Sequence, residues 1–368
     1  VCALYIGIMS GTSLDGIDIA LSRFNPELQQ ADCLDALCLS IPDDLKEQLL
    51  SLCTPAGNEL VRAGQAGNRW ASIAADGVQQ LLQRNRLTPS DICAIGSHGQ
   101  TIRHHPELGF STQIGAPALL AERSGINVIS DFRSRDLAAG GEGAPLVPAF
   151  HNWLLSDPKQ TRTLINIGGF ANLTIMRPNQ SPEGFDSGPG NALMDSWIKQ
   201  HKGVEFDQSG DWARQGQVIP ELLQAALSDP YFSRMGPKST GREYFNPIWL
   251  NGYLNRLQNT ALAVDVQATL LTLTAQSIAD SVKRAASDST AVYICGGGAR
   301  NTLLLEQLQS LLAQQKVETT QVLGVDPDWM EAIAFAWLAW RFEERLASNL
   351  PSVTGAKGER VLGALYPA

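Results

Sequence analysis

Gly7-Ile8-Met9-Ser10-Gly11-Thr12-Ser13-Leu14-Asp15-Gly16 closes the apolar run that opens at Ala3 and precedes Ile17-Asp18-Ile19-Ala20-Leu21, whose apolar residues alternate. Strand, turn and alternating strand spell a β-hairpin. Its turn holds glycines, which let backbone approach a ligand closely, and three hydroxyls able to donate hydrogen bonds. A loop with these parts fits a polyphosphate. The layout returns where Thr163–Ile167 and Ala171–Met176 flank Gly168-Gly169. A third turn, Gly296-Gly297-Gly298, lies between the strand-like run Ala291–Cys295 and a helical pattern from about Thr302. Three consecutive glycines cost backbone entropy that a tight turn does not require. Taken alone, each hairpin turn is equally a plain one, since Gly, Ser, Thr and Asp are common turn formers. Strands and helices alternating within two similar halves predict an α/β protein with layered sheets.

Further elements follow the same logic. Leu34–Leu39 reads as a third strand of the first hairpin, and Glu59–Asn85 as a long helix with Leu60, Ala63, Trp70, Ile73, Ala74, Val78, Leu81 and Leu82 on one stripe. Strand Ile92–Gly96 ends in the polar loop Ser97-His98-Gly99-Gln100-Thr101, and Asn127–Ser130 is a short strand. The segment Ala138–Pro145, rich in glycine, reads as a hinge. It divides the chain into an N-terminal domain 1–140 and a C-terminal domain 141–368, whose last helix and tail are free to pack back on the first. Helices are predicted from Ala192 to Gly203 and from Val266 to about Ala286 behind Asp265 as N-cap. A last helix, apolar almost all round, takes Asp326 as N-cap and Pro327 as its first residue.

Composition excludes several classes. At 368 residues the chain is long enough for two domains, and 44% apolar with 18% charged residues is ordinary for a globular protein. A net charge of −9 argues against nucleic acid or anionic membrane as partner, because both need clustered Lys and Arg. Six cysteines without a Cys-x-x-Cys pair read as reduced thiols. Nothing near Val1 resembles a signal peptide, and the longest apolar run, Ala332–Trp340, is too short to span a bilayer. A cytoplasmic location follows as the expectation, and a homodimer stays open.

There is no Gly-x4-Gly-Lys-Ser/Thr loop, no His-Arg-Asp with Asp-Phe-Gly pair, and no Gly-x-Ser-x-Gly elbow. Two strand-turn-strand phosphate loops followed by a glycine-rich adenosine loop resemble the actin, sugar kinase and Hsp70 superfamily. That likeness implies a two-domain, RNase H-like architecture with ATP in an interdomain cleft. Gly11–Asp18, Ser97-His98-Gly99-Gln100-Thr101, Asp131-Phe132-Arg133 with Arg135-Asp136, and Gly184-Phe185-Asp186-Ser187-Gly188-Pro189-Gly190-Asn191 narrow it. With these motifs the chain resembles the anhydro-N-acetylmuramic acid kinases over nearly its whole length.

The resemblance implies a cell-wall recycling enzyme that takes 1,6-anhydro-N-acetylmuramic acid, ATP and water to N-acetylmuramic acid 6-phosphate and ADP. On it, Gly11, Thr12, Ser13, Leu14, Asp15, Gly16, Ile17 and Asp18, with Gly168, Gly169, Gly296, Gly297 and Gly298, are expected to bind the nucleotide. Asp186, read as lying in a glycine-flanked loop before a helix, is the expected general base, and Glu331 an acid or sugar-positioning group. Arg135 is expected to meet the lactyl carboxylate, with Arg133 and Asp136 pairing to neighbours, and His98 and Thr101 to touch the sugar. His98, His104 and His105 otherwise read as exposed imidazoles of a tight turn, without zinc. Met9 and Asn166 occupy the positions where the superfamily places an acidic residue, leaving Asp15 and Asp18 to hold Mg2+. The alternatives are another sugar or carboxylate kinase of the superfamily, a nucleotide-switched clamp with no acceptor, and a glycosidase built on the two acids.

Overall fold

The computed structural model describes residues 4–11, 14, 16–234, 238–242, 244–257 and 261–368. It divides into two compact units, Val1–Leu154 with Trp329–Ala368, and Leu155–Asp328. The division thus falls at Leu154/Leu155 and Asp328/Trp329 rather than at 140/141, and the last helix belongs to the first unit. Expectations at Thr12, Ser13 and Asp15 lie outside the described residues.

In the first unit, β1 (Leu4–Met9), β2 (Ile17–Asn25) and β3 (Gln30–Leu39) form an antiparallel meander, and β4 (Ile92–Ser97) and β7 (Val128–Ser130) extend it in parallel beyond β1. A small hairpin, β5 (Gln100–His105) and β6 (Phe110–Ile114), stands apart, and the terminal strand Ala364–Tyr366 pairs with β7. In the second unit, β8 (Thr161–Ile167), β9 (Phe170–Met176) and β10 (Glu183–Pro189) form the meander, and β11 (Ser289–Cys295) and β12 (Lys316–Thr319) run parallel beyond β8. Both sheets therefore share one order, third–second–first–fourth–fifth, which is the RNase H-like α/β topology. The repeat is topological, with two meanders whose sequences differ.

Each element follows from its pattern. The helix Glu59–Asn85 has the predicted bounds and buries Ala66, Trp70, Ala74, Val78 and Leu81 along one stripe. The helix Ala192–Lys202 stops at Gly203, whose φ of 72° is left-handed. The last helix begins at Met330, not at Asp326, and runs to Glu343 with Met330 and all of 332–340 buried. The Asp326–Asp328 segment is instead a turn in which Asp326 accepts the Asp328 N–H at 3.0 Å. Asp265 is no cap either. It lies inside the helix Ala263–Ala285, and its carboxylate accepts the Gln217 N–H at 2.8 Å.

The last helix is seated by two glycines. Gly7 of β1 and Gly96 of β4 are paired in register. A Cβ on Gly7 would stand 1.8 Å from the Ala332 carbonyl oxygen, and one on Gly96 1.9 Å from that of Phe335. Helix backbone therefore rests directly on sheet backbone, closer than any side chain permits. Trp337 and Trp340 on the helix meet Phe150, Trp153 and Phe24 of the same unit, which explains a helix apolar on all sides.

The glycine-rich segment expected as a hinge is tied down. Asp136, wholly buried, accepts from the Gly143 N–H, Asn349 Nδ2 and Thr354 Oγ1 at 2.8–2.9 Å. Glu142 N–H donates to the Thr354 carbonyl, and Lys357 N–H to that of Ala139. Cys33, Cys38, Cys53 and Cys295 are thiols, but Cys93 is disulfide-bonded, which corrects the reading of six thiols. No helix among the described residues is long and apolar enough to cross a membrane.

Candidate active site

The first glycine turn hangs from the open end of β1 and β2, whose last register pair is Met9 with Asp18. Leu14, 3% exposed, and Ile17, fully buried, point into the core, and a Cβ on Gly16 would strike Cys38 Sγ. For Leu14, Gly16 and Ile17 it is therefore backbone, not side chain, that is left to meet a ligand. Asp18 is half-buried at the base of the turn. Gln100, unremarked as a separate group in the sequence, clamps this turn. It accepts from Ser10 Oγ at 2.6 Å and donates to the Gly11 carbonyl at 3.2 Å. His98 N–H adds a bond to the Ile8 carbonyl at 3.0 Å.

His98 is buried rather than exposed, and both ring nitrogens are engaged. Nδ1 lies 2.9 Å from the Gly99 carbonyl and donates to it, while Nε2 lies 2.7 Å from Arg133 Nη2 and accepts. Its ring packs on Phe335 with centroids 4.8 Å apart. Burial, then the neighbouring Arg133 cation, pushes its pKa down to about 3, so the imidazole is neutral. Neither nitrogen is left over, so the expected His98–sugar contact would have to exchange one of these bonds. Arg133 also donates to the Gly143 carbonyl at 2.7 Å, and its Nε is buried with no hydrogen-bond partner. Burial lowers its pKa to about 10, against the pull of Glu331, half-buried in the first turn of the last helix.

Arg135 and Thr101 take no part in these hydrogen bonds. Arg135 is exposed on the short helix Ser134–Ala138, and Thr101 Oγ1 accepts from Gln113 Nε2 at 3.1 Å. His104 and His105 lie on β5 against Ser111 and Glu107. Among the described residues, no group of three or more His, Cys, Asp and Glu is placed to hold a metal ion.

In the second unit two glycine turns and a helix N-terminus converge. Gly190 and Ala192 N–H donate to the Gly169 carbonyl, and Asn191 N–H to that of Gly168, all within 2.8–3.0 Å. These bonds dock the start of the helix Ala192–Lys202 on the β8–β9 turn. Strand β11 pairs Cys295 with Asn166, bringing the triple glycine beside it. A Cβ on Gly296 would stand 2.3 Å from Asn166 Oδ1, and one on Gly298 2.4 Å from Ile167 Cγ2. Gly297 alone of the three faces open space, its nearest neighbour being Asn191 Nδ2 at 3.8 Å. Two of the three glycines are thus packing requirements, and one is left to meet a ligand.

Asp186 lies on strand β10, not in a loop, opposite Asn172 and just before a bulge at Ser187. Its N–H donates to the Lys238 carbonyl at 2.9 Å, its carbonyl accepts from Tyr231 Oη at 2.9 Å, and its Oδ2 accepts the Thr240 N–H at 2.9 Å. Asp229, four aromatic-cluster bonds deep, braces the floor: it accepts from Tyr231 N–H, Tyr244 Oη, Trp249 Nε1 and Tyr253 Oη. Lys238 is 7% exposed, and burial, then Arg284 and Arg234, bring its pKa down to about 8. Neither Lys238 nor Thr240 carried a signal in the sequence.

Comparison with known proteins identifies the family. The family described as anhydro-N-acetylmuramic acid kinase matches residues 3–368. The chain is 53% identical to an anhydro-N-acetylmuramic acid kinase of Pseudomonas fluorescens, covering 99% of each chain. It is also 53% identical to one of Pseudomonas putida over 100% of both. A solved structure, the activator of the 2-hydroxyisocaproyl-CoA dehydratase from Clostridium difficile with bound ADPNP, is similar at 14% identity and TM-score 0.48, over 93% of this chain and 96% of that one. On the whole-chain match and half-identity to these relatives, the chain belongs to the anhydro-N-acetylmuramic acid kinase family.

Proposed function

We propose that the chain is a cytoplasmic, ATP-dependent kinase that opens the 1,6-anhydro ring of 1,6-anhydro-N-acetylmuramic acid and phosphorylates O6, yielding N-acetylmuramic acid 6-phosphate during peptidoglycan recycling. The observation that supports this reading is the pairing of Asp186, on β10, with β9, the strand that leaves the Gly168-Gly169 turn. Asn172, opposite Asp186, is three residues from Gly169, about 10 Å along a strand. A carboxylate on the strand beside the one that leaves a phosphate-binding turn suits a sugar whose C1 and O6 must both react.

Asp186 takes a proton from water as the water oxygen bonds to C1. The C1–O6 bond breaks, and O6 attacks the γ-phosphorus, from which ADP departs. Backbone N–H groups of the glycine turns are assigned to the phosphates, and Gly297 to the adenosine. Arg135, exposed on its short helix, is assigned to the lactyl carboxylate. Glu331 is assigned the acid or sugar-positioning role, with Arg133 as the cation beside it. Mg2+ on the nucleotide would be held by Asp18, whose half-buried carboxylate at the base of the first turn fits a cation that takes one or two carboxylates plus phosphate. It would neutralise charge on the phosphates.

The test is product identification after incubation with ATP, magnesium and a panel of anhydro and ordinary amino sugars. Phosphate on O6 of an opened anhydro sugar is expected, and product only from ordinary hexoses sinks the substrate assignment. Asp186→Asn should abolish ring opening and phosphate transfer together while nucleotide still binds. A variant that hydrolyses the anhydro bond near the wild-type rate removes Asp186 as the base.

A further inference from the structure

Lys238 is an expensive residue where it stands. Ammonium groups are almost never fully buried unless paired, and Arg234 and Arg284 both act against its charge. A methionine would fill the same space without a desolvation cost. What the amine contributes is visible in its surroundings. Nζ donates to the Tyr231 carbonyl at 3.1 Å and lies 4.4 Å from the Tyr231 ring centroid, an electrostatic seat for a cation. Tyr231 Oη in turn donates to the Asp186 carbonyl, and the Asp186 N–H returns to the Lys238 carbonyl. Lys238, Tyr231 and Asp186 thus form a closed ring of hydrogen bonds. Asp186 is also the acidic group whose charge favours the ammonium, and that attraction is mutual.

We propose that Lys238 is a positioning residue for Asp186, holding its carboxylate ionised and aimed through the field of the buried ammonium and the hydrogen-bond ring across Tyr231. The proposal rests on the reading of Asp186 as general base. The groups facing the ammonium are Tyr231 on the short helix Pro230–Ser233, Arg234 after it, Arg284 on the helix Ala263–Ala285, and Asp186 on β10.

The sign follows from charge. A nearby cation favours the carboxylate, so removing it raises the Asp186 pKa and moves the acidic limb of kcat/KM to higher pH. Lys238→Met should shift that limb upward by about one unit, and Lys238→Arg, which keeps the charge, should return it toward the wild-type position. Loss of rate in Lys238→Met with an unmoved limb means a structural role only and overturns the proposal.

A second measurement needs neither a Lys238 variant nor turnover. In a 13C NMR titration of the wild-type protein, with the Asp186 carboxyl assigned by comparison with Asp186→Asn, that resonance should show a second inflection near pH 8, where Lys238 loses its proton. A single inflection overturns the proposal even if Lys238→Met does not fold. A wild-type protein that leaves the anhydro sugar untouched overturns the assigned function instead, and the carboxyl titration still decides the role of Lys238.

Discussion

Gly7→Ala tests the packing on which the first half of the site depends. The added Cβ would stand 1.8 Å from the Ala332 carbonyl oxygen and 2.5 Å from the Ala336 nitrogen. A comfortable carbon–oxygen contact is about 3.2 Å, so the last helix must retreat by roughly 1.4 Å, and both opposing atoms are backbone that no rotamer change relieves. Overpacking of this kind costs about 3 kcal/mol, or a fall in the melting temperature of roughly 6–12 °C for a unit of this size. The same shift carries Glu331 and Phe335 with the helix, and a displacement of about 1 Å at a reacting group can cost ~100-fold in rate. Thermal unfolding and steady-state kinetics on the purified variant measure both. A melting temperature within about 1 °C of wild type with unchanged kcat would refute the claim that helix backbone rests on sheet backbone at Gly7.

The triple glycine should separate into two behaviours. Gly297→Val, with open space around it, should leave the melting temperature unchanged and raise KM for ATP by about tenfold or more. Gly298→Ala, whose Cβ would stand 2.4 Å from Ile167 Cγ2, should instead destabilise by about 1–3 kcal/mol. The reverse pattern in unfolding and ATP titrations would reject the division. Acid should destabilise the protein through its buried histidines. His98 and His151 have folded pKa values pushed down to about 3 by burial, so the unfolded chain binds protons first and stability falls as pH drops below about 6.5. Each contributes a loss of about 2 kcal/mol by pH 5. Denaturant unfolding across pH 7 to 5 should show His151→Leu with about half the wild-type slope over that window, and equal slopes would reject the assignment.

Sequence pattern revealed the parts of this molecule that local periodicity controls. The first hairpin, the second around Gly168-Gly169 and the helix Glu59–Asn85 all follow from alternation or a 3.6-residue stripe. Strand β10 was hidden because Gly184, Asp186, Gly188 and Pro189 are turn formers, and only pairing with β9 at the sheet edge, where proline is tolerated, makes them extended. Asp326-Pro327 carries a strong helix-start signal, but the Pro327 carbonyl is taken by the Gly296 N–H, a contact far away in sequence. The hinge reading of Ala138–Pro145 failed for a similar reason, since a single buried carboxylate on Asp136 collects donors from both that segment and the tail. Asp186 was visible, but Lys238 was not. No local pattern marks a lysine destined for burial by aromatic residues on either side of it.

The last helix closes a sheet whose first strand leaves the ribosome more than three hundred residues earlier. The unit 155–328 is continuous and can fold while synthesis proceeds. The first unit cannot be completed then, because the groove floored by Gly7 and Gly96 stays uncovered until Met330–Glu343 has emerged. For most of translation this protein carries an open apolar trough awaiting its own C-terminus. Nascent chains stalled before residue 330 should therefore be the species that chaperones hold and proteases cut, and a truncation that removes Met330–Glu343 should cost the opening part of the chain rather than the unit before the cut.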